Sequence, residues 1–224
     1  RSTHCISSAE SDVYKRQLLG AVVGMHGDDA GLIMPPSMAP IQVVLIPVAA
    51  HKTEAVMETI HEVNNRLKAI GIRTHVDDRD IRPGQKYYDW EIKGVPLRLD
   101  IGPRDVENGN AFAARRTGGK HPLPISDIES SVRSELTEIQ ATLLKASEEH
   151  RASIVRFANN LSELDSEGAI FEVAFCGTDA DAEVLEKSSG LTLLGEALEP
   201  FAEPKQCIVS GEMTTTRQHL ARMY

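Results

Sequence analysis

Features that would settle function outright are scarce in this chain. Three cysteines (Cys5, Cys176 and Cys207) in 224 residues are an odd number, which excludes a disulfide framework as the basis of the fold. No apolar run approaches the ~18 residues of a membrane span and no signal peptide is evident, so a soluble cytoplasmic protein is expected. The Gly-rich Walker and Rossmann phosphate loops, the HExxH zinc motif and any recognisable serine or cysteine nucleophile context are missing. Enzymatic chemistry is therefore absent or was carried by sequence preceding this chain, which does not begin with Met. Positive charge is in deficit too. A net charge of −9 excludes a protein that coats DNA nonspecifically, while a local nucleic-acid site depends only on the charge of one face. Aromatic residues make up just 4% of the sequence, so a cluster of them carries information.

That cluster lies between Val76 and Asp105, a stretch with Tyr87, Tyr88, the single Trp90 and three glycines among closely spaced charges. From Arg73 to Arg104, seven Lys/Arg stand against six Asp/Glu, nearly neutral inside an acidic chain. Unpaired charge is costly to bury, so this is not a core segment. Arg79, Arg82, Lys93, Arg98 and Arg104 supply donors suited to phosphates and guanine edges. Tyr87, Tyr88 and Trp90 supply rings for stacking unpaired bases. Glu91 and Asp105 can accept from base amino groups. Large aromatics more often pack than serve as platforms, which places Trp90 in the core. On the residues alone, single-stranded RNA and a polar protein interface fit this surface equally well.

Periodicity outlines the rest. Residues 18–25 form a short apolar run, helix or strand by period alone. IQVVLIPVAA predicts a buried strand. Val56, Ile60, Val63, Leu67 and Ile70 draw one helical stripe that ends at Gly71. IRTHVDD predicts a second strand, RPGQKYYDWEIKG a short helix ending at Gly94, and PLRLDIGP a third strand. In that strand Leu97, Leu99 and Ile101 share one face, Arg98 and Asp100 the other. AFAARR adds a fourth strand after the Asn108-Gly109 turn. The order βαβαββ implies a sheet with helices packed on it. GGKHPLP reads as a boundary. Ser126 and Glu129 fit a capping box opening a long amphipathic helix through Ile128, Val132, Leu136, Ile139 and Leu143, continuing toward Asn160 with a break. A second small α/β unit follows: strand AIFEVAFC, a helix ending at Gly190, and strand QCIVS.

Two possible metal sites stand out. His26 with Asp28 and Asp29 suggests a metal or acid/base site, as in a metal-dependent hydrolase, or else a hydrogen-bonded turn. Cys176 and Cys207 each look like half of a zinc knuckle. The second halves are missing: Asp181 stands five residues after the first and Ser210 three after the other. Asp can ligate zinc, whereas a neutral Ser is a poor ligand.

HGDDAGLIMPP, APIQVVLIPV, DDRDIRPGQKYYDWEIKGVPLRLDIGPRDVENG and the terminal MY together resemble the prolyl-tRNA synthetases of the archaeal/eukaryotic type, from Leu18 to Tyr224. The resemblance implies an α/β fold: an anticodon-binding domain with a mixed sheet flanked by helices, plus a small α+β C-terminal domain. It implies that 18–39 close a class II catalytic domain, 40–122 bind the anticodon, and 123–224 form the C-terminal domain. Residues 1–17 then read as a non-native leader. With the first two class II signature motifs absent, this chain alone is expected to be inactive, while the whole enzyme would use ATP and Mg²⁺ and act as a homodimer. The partner implied is proline tRNA, with neither DNA nor membrane. By position, Tyr87 (stacking), Glu91, Arg98, Arg104 and Asp105 would read the two guanines of the anticodon. His26 and Tyr224 would lie near the active site. The family's structural zinc would fall to Cys176, Cys207 and Asp181, a depleted ligand set. A free-standing synthetase-like accessory module is the alternative reading.

Overall fold

A strand apolar at every position belongs where both faces of a sheet are covered. In the computed structural model, which describes residues 17–49, 54–164 and 168–223, β1 (Val43–Pro47) is such a strand and is buried throughout. It lies second in a five-stranded sheet of order β2-β1-β3-β4-β5, with β2 at Thr74–Val76, β3 at Leu97–Ile101, β4 at Asn110–Arg115 and β5 at Lys120–Pro124. The first three strands are parallel and the last two antiparallel, a mixed sheet.

Alternation divides β1 and β3 between two layers. Val43, Leu45, Leu97, Leu99 and Ile101 join the main core with Val56, Ile60, Val63 and Leu67 of α2 (Glu54–Ala69). Val44 and Ile46 face the other way and pack with Trp90 of α3 (Pro83–Ile92). A preceding helix, α1, includes residues 17–26, which resolves the ambiguity of that apolar run. Not anticipated from the residues is α4 (Pro103–Glu107), a single turn between β3 and β4.

The segment read as a boundary is a hairpin instead. Gly118 and Gly119 adopt φ of +101° and +93°, and Lys120–Pro124 returns as β5 against β4. The long helix α5 (Ile128–Ile154) is unbroken. Its stripe Ile128, Val132, Leu136, Ile139 and Leu143 is buried in the main core. Glu129 does not close the expected capping box; its two oxygens accept from Arg66 Nε at 2.7 Å and Nη2 at 2.6 Å. Helix also ends sooner than its pattern suggested, because Val155–Phe157 become strand β6, paired with residues 170–172.

The chain divides into two compact units between Ala146 and Ser147. In the second, β6, β7 (Ile170–Ala174), β11 (Arg217–Ala221) and β8 (Thr192–Glu196) form a sheet in that order. Helix α6 (Asp179–Ser189) ends at Gly190 in the left-handed region, as its sequence predicts. The expected strand QCIVS shrinks to β9 (Lys205–Gln206). Cys207 instead opens a tight turn toward β10 (Met213–Thr214), its amide donating to Glu212 O at 2.7 Å and its carbonyl accepting from Gly211. No helix among the described residues is long and apolar enough to cross a membrane.

One close approach sets how the segment after α1 meets the sheet domain. Gly94 has φ +70°, and a Cβ there would collide with the Leu32 carbonyl. Gly94→Ala is expected to destabilise the protein by at least about 2 kcal/mol through backbone strain, measurable by urea denaturation; Gly109→Ala, whose added Cβ meets nothing, should cost less.

Candidate nucleic-acid interface

The site is built on α3 and β3, and its foundation is Asp77, 1% exposed just after β2. Its carboxylate accepts from Trp90 Nε1 at 2.7 Å and from Arg79 Nε at 2.9 Å and Nη2 at 2.7 Å. Its carbonyl accepts from the buried Lys86 Nζ at 2.9 Å. The Arg79 guanidinium holds the Asp77 carboxyl far below the usual carboxylate range, against the upward push of burial, and Trp90 adds to the effect. Trp90 is therefore core, 7% exposed, as expected. Arg79, read as a donor for a ligand, is spent on the fold: its other arm pairs with Asp89 at 2.8 Å.

With Lys86 and Trp90 turned inward, Glu91 is exposed and Tyr87 is half-buried against the Trp90 layer. Tyr87 and Glu91 stand four apart, on one face of α3. Arg98 lies with its guanidinium 3.8 Å from the Tyr87 ring centroid, a cation–π contact. Arg98 Nε donates to both oxygens of Asp100, at 3.1 and 3.2 Å. Its two Nη groups have no hydrogen-bond partner among the described residues. Asp100 is 8% exposed, and burial raises its pKa despite Arg98. Burial also raises that of Tyr87, whose hydroxyl lies beside Asp100. Glu91 and Arg98 line a cleft of about 110 Å³ together with Trp90, Ala114, Arg116 and Lys120.

The other sequence candidates fall differently. Asp105 stands close enough to Tyr87 to influence it, but one of its oxygens accepts the Gly102 amide at 2.9 Å and caps α4. Arg104, exposed on α4, does not line the cleft. Lys93 sits over the Trp90 ring at 4.3 Å, and Arg82, before α3, is exposed. Asp100, Arg116 and Lys120 escaped the sequence reading as site residues. Asp100 had a signal, since alternation puts it beside Arg98 on the polar face of β3. Arg116 had none, because its partner is 88 residues away.

Asp28 holds a turn. It bridges with Gly31, accepts the Ala30 amide at 2.9 Å and pairs with Arg116, which lowers its pKa to about 2. This is the hydrogen-bonded alternative for HGDD. No group of three or more His, Cys, Asp or Glu among the described residues could hold a metal. Tyr224, like residues 1–16, lies outside the described residues.

The cysteines meet, but the zinc ligand set does not. The Cys176 amide donates to Cys207 Sγ at 3.4 Å, and Cys176 Sγ lies 3.7 Å from Ser210 Oγ. Burial pushes the Cys207 thiol up, yet hydrogen bonds from Ser210 and the Cys176 amide outweigh it and bring it down to about 7. Asp181, the proposed third ligand, caps α6 instead: one oxygen accepts both the amide and the hydroxyl of Thr178 at 2.8 Å. Two thiols and a neutral hydroxyl do not make the four-ligand site that structural zinc requires.

Residues 42–135 match the family model described as an anticodon binding domain. The first unit thus defines the class: an α/β anticodon-binding protein. Longer matches narrow it. The chain is 40% identical over 211 residues to the proline–tRNA ligase of Methanosarcina mazei, covering 92% of this chain and 44% of that protein. It is 38% identical over 218 residues to the proline–tRNA ligase of Thermococcus kodakarensis, covering 93% and 45%. Among solved structures, Giardia lamblia prolyl-tRNA synthetase in complex with prolyl-adenylate superposes with a TM-score of 0.84 at 26% identity, over 93% of this chain and 47% of that one. Over about nine-tenths of its own length the chain is similar to prolyl-tRNA synthetases, and it spans less than half the length of the curated relatives it matches.

Removing the Asp77 carboxylate strands a buried indole N–H and releases Arg79. Asp77→Ala should therefore cost about 3 kcal/mol in urea denaturation, whereas the exposed neighbour Asp78→Ala should stay within about 0.5 kcal/mol. The folded pKa of Asp77 is depressed, so its contribution is present above the ordinary carboxylate range of about pH 4 and is lost as pH falls toward the folded value.

Proposed function

We propose that this chain provides anticodon recognition for a proline–tRNA ligase, reading the two guanines of the proline anticodon. The observation that carries the reading is the open cleft where Arg98 and Glu91 meet, with Tyr87 stacked on Arg98. Guanine offers O6 and N7 as acceptors and N1–H and N2–H as donors. The unspent Nη groups of Arg98 suit the first pair and the Glu91 carboxylate the second. Because Arg98 covers a face of the Tyr87 ring, stacking passes in part to the guanidinium plane, which also stacks bases. Asp100 holds that plane by Nε. Arg104 and Asp105, on α4 beside this surface, contribute charge and a carboxylate oxygen to the neighbouring nucleotide. Phosphate contacts would position the loop and base contacts specify it.

The whole enzyme would activate proline with ATP and Mg²⁺ and transfer it to the tRNA 3′ end, as a cytoplasmic homodimer. ATP supplies the leaving group for that activation. The residues of this chain would contribute affinity and tRNA identity. The organisation expected from the sequence has 18–39 leading out of a catalytic domain, 40–122 for the anticodon and 123–224 as the C-terminal domain; the compact units divide instead between Ala146 and Ser147, with α5 packed into the first core as far as Leu143.

Arg98→Ala should weaken binding of an anticodon stem-loop RNA with both guanines by about 1–3 kcal/mol. Calorimetric or fluorescence titration should show a much smaller loss for a stem-loop with either guanine changed. Equal losses for all loops would remove Arg98 from base reading.

A further inference from the structure

The C-terminal end of α3 carries Glu91, and something must fix it. Glu91 is exposed and its side chain has no hydrogen-bond partner among the described residues, so its position depends on its backbone. The last carbonyls of a helix lack intrahelical donors and need others. Here donors come from two remote segments. Arg116 Nε donates to Glu91 O at 3.1 Å, and the Leu32 amide donates to Ile92 O at 3.1 Å. The Met34 amide continues the seam to Gly94 O at 3.0 Å. Gly31 and Gly94 leave no room for a Cβ against Ile92 and Leu32, so the seam is backbone against backbone.

Arg116 joins both sides of this seam. Its side chain is 5% exposed, with Nη1 donating to Asp28 Oδ2 at 2.9 Å and Nη2 to Asp28 Oδ1. All three guanidinium nitrogens are engaged by the protein. Asp28 is itself held by the Ala30 amide and by paired backbone bonds to Gly31, both 3.0 Å. The positive charge also sits at the helix C-terminus, where the macrodipole favours it. The same side chain lines the cleft that Glu91 and Arg98 share.

We infer that Arg116 is a positioning residue for anticodon discrimination: clamped by Asp28, it holds the last turn of α3 so that Glu91 stands at a fixed place in the cleft. The inference rests on the proposed role of Glu91. It assigns the HGDD turn a part in reading tRNA rather than in metal chemistry.

A double-mutant cycle on the 224-residue chain tests it. Dissociation constants would be measured for two anticodon stem-loop RNAs, one with both proline guanines and one with a single guanine changed. Their ratio is the discrimination. Glu91→Ala and Arg116→Met should each lower it by roughly tenfold, and the double variant by no more than the larger single loss, because both act through one contact. Asp28→Asn, a milder change at a half-exposed side chain, should lower the ratio in the same direction and serves where Arg116→Met does not fold. A purely structural role for Arg116 would lower the melting temperature and leave the ratio intact, or give losses that multiply in the double variant; either result overturns the inference. If Glu91→Ala alone leaves the ratio unchanged, the fault lies in the assignment of Glu91, and the inference falls with it.

Discussion

Everything at the candidate site depends on one buried carboxylate. Asp77 is out of water and ionised, which is tolerable only because Arg79 forks onto it and the Trp90 indole donates to it. Those two bonds decide how α3 lies on the sheet. Trp90 can rest on Val44 and Ile46 because its N–H is satisfied at Asp77. Once that face of the helix is fixed, Tyr87 and Glu91 fall roughly 100° further round it, with Tyr87 against Arg98 of β3. The site is thus a consequence of a packing solution.

The same constraint explains why a stretch so rich in charge is nearly neutral. Two of its arginines are joined to three of its acids: Arg79 to Asp77 and Asp89, Arg98 to Asp100. An arginine free to swing would lose side-chain entropy on meeting a base. One already forked onto a carboxylate has lost much of it beforehand, so a new hydrogen bond costs less to form. Pairing spends Arg79 on the fold and leaves Arg98 held by Nε alone, the difference being whether the outer nitrogens remain unspent.

How much could be read beforehand follows from the range of the forces. The alternation of β3, the α2 stripe and the left-handed cap at Gly190 are local patterns, and each appears where the sequence places it. Trp90 as core and the Tyr87, Glu91, Arg98 grouping were also legible, the first from packing tendencies and the second from the family resemblance. What was illegible depends on distant partners. Glu129 looks like a capping residue until Arg66 is found beside it. GGKHPLP has the composition of a linker, yet antiparallel pairing with β4 makes it a hairpin. Asp181 sits at a knuckle spacing, but local capping by Thr178 claims its carboxylate first. In each case a residue had two physically sound uses; tertiary context selected one for Glu129 and GGKHPLP, and a contact three residues away did so for Asp181.

Asp77 and Asp100 show the same logic within a single residue type. Both are buried, and their pKa values move in opposite directions. Asp77 receives a bidentate guanidinium and an indole N–H at 2.7 to 2.9 Å, so hydrogen bonding outweighs desolvation. Asp100 receives one guanidinium nitrogen at 3.1 and 3.2 Å, and desolvation prevails. Asp77 is the more fully satisfied acid, and Asp100 the less fully satisfied one. That is the condition a recognition surface needs: a framework more fully satisfied than the site it supports.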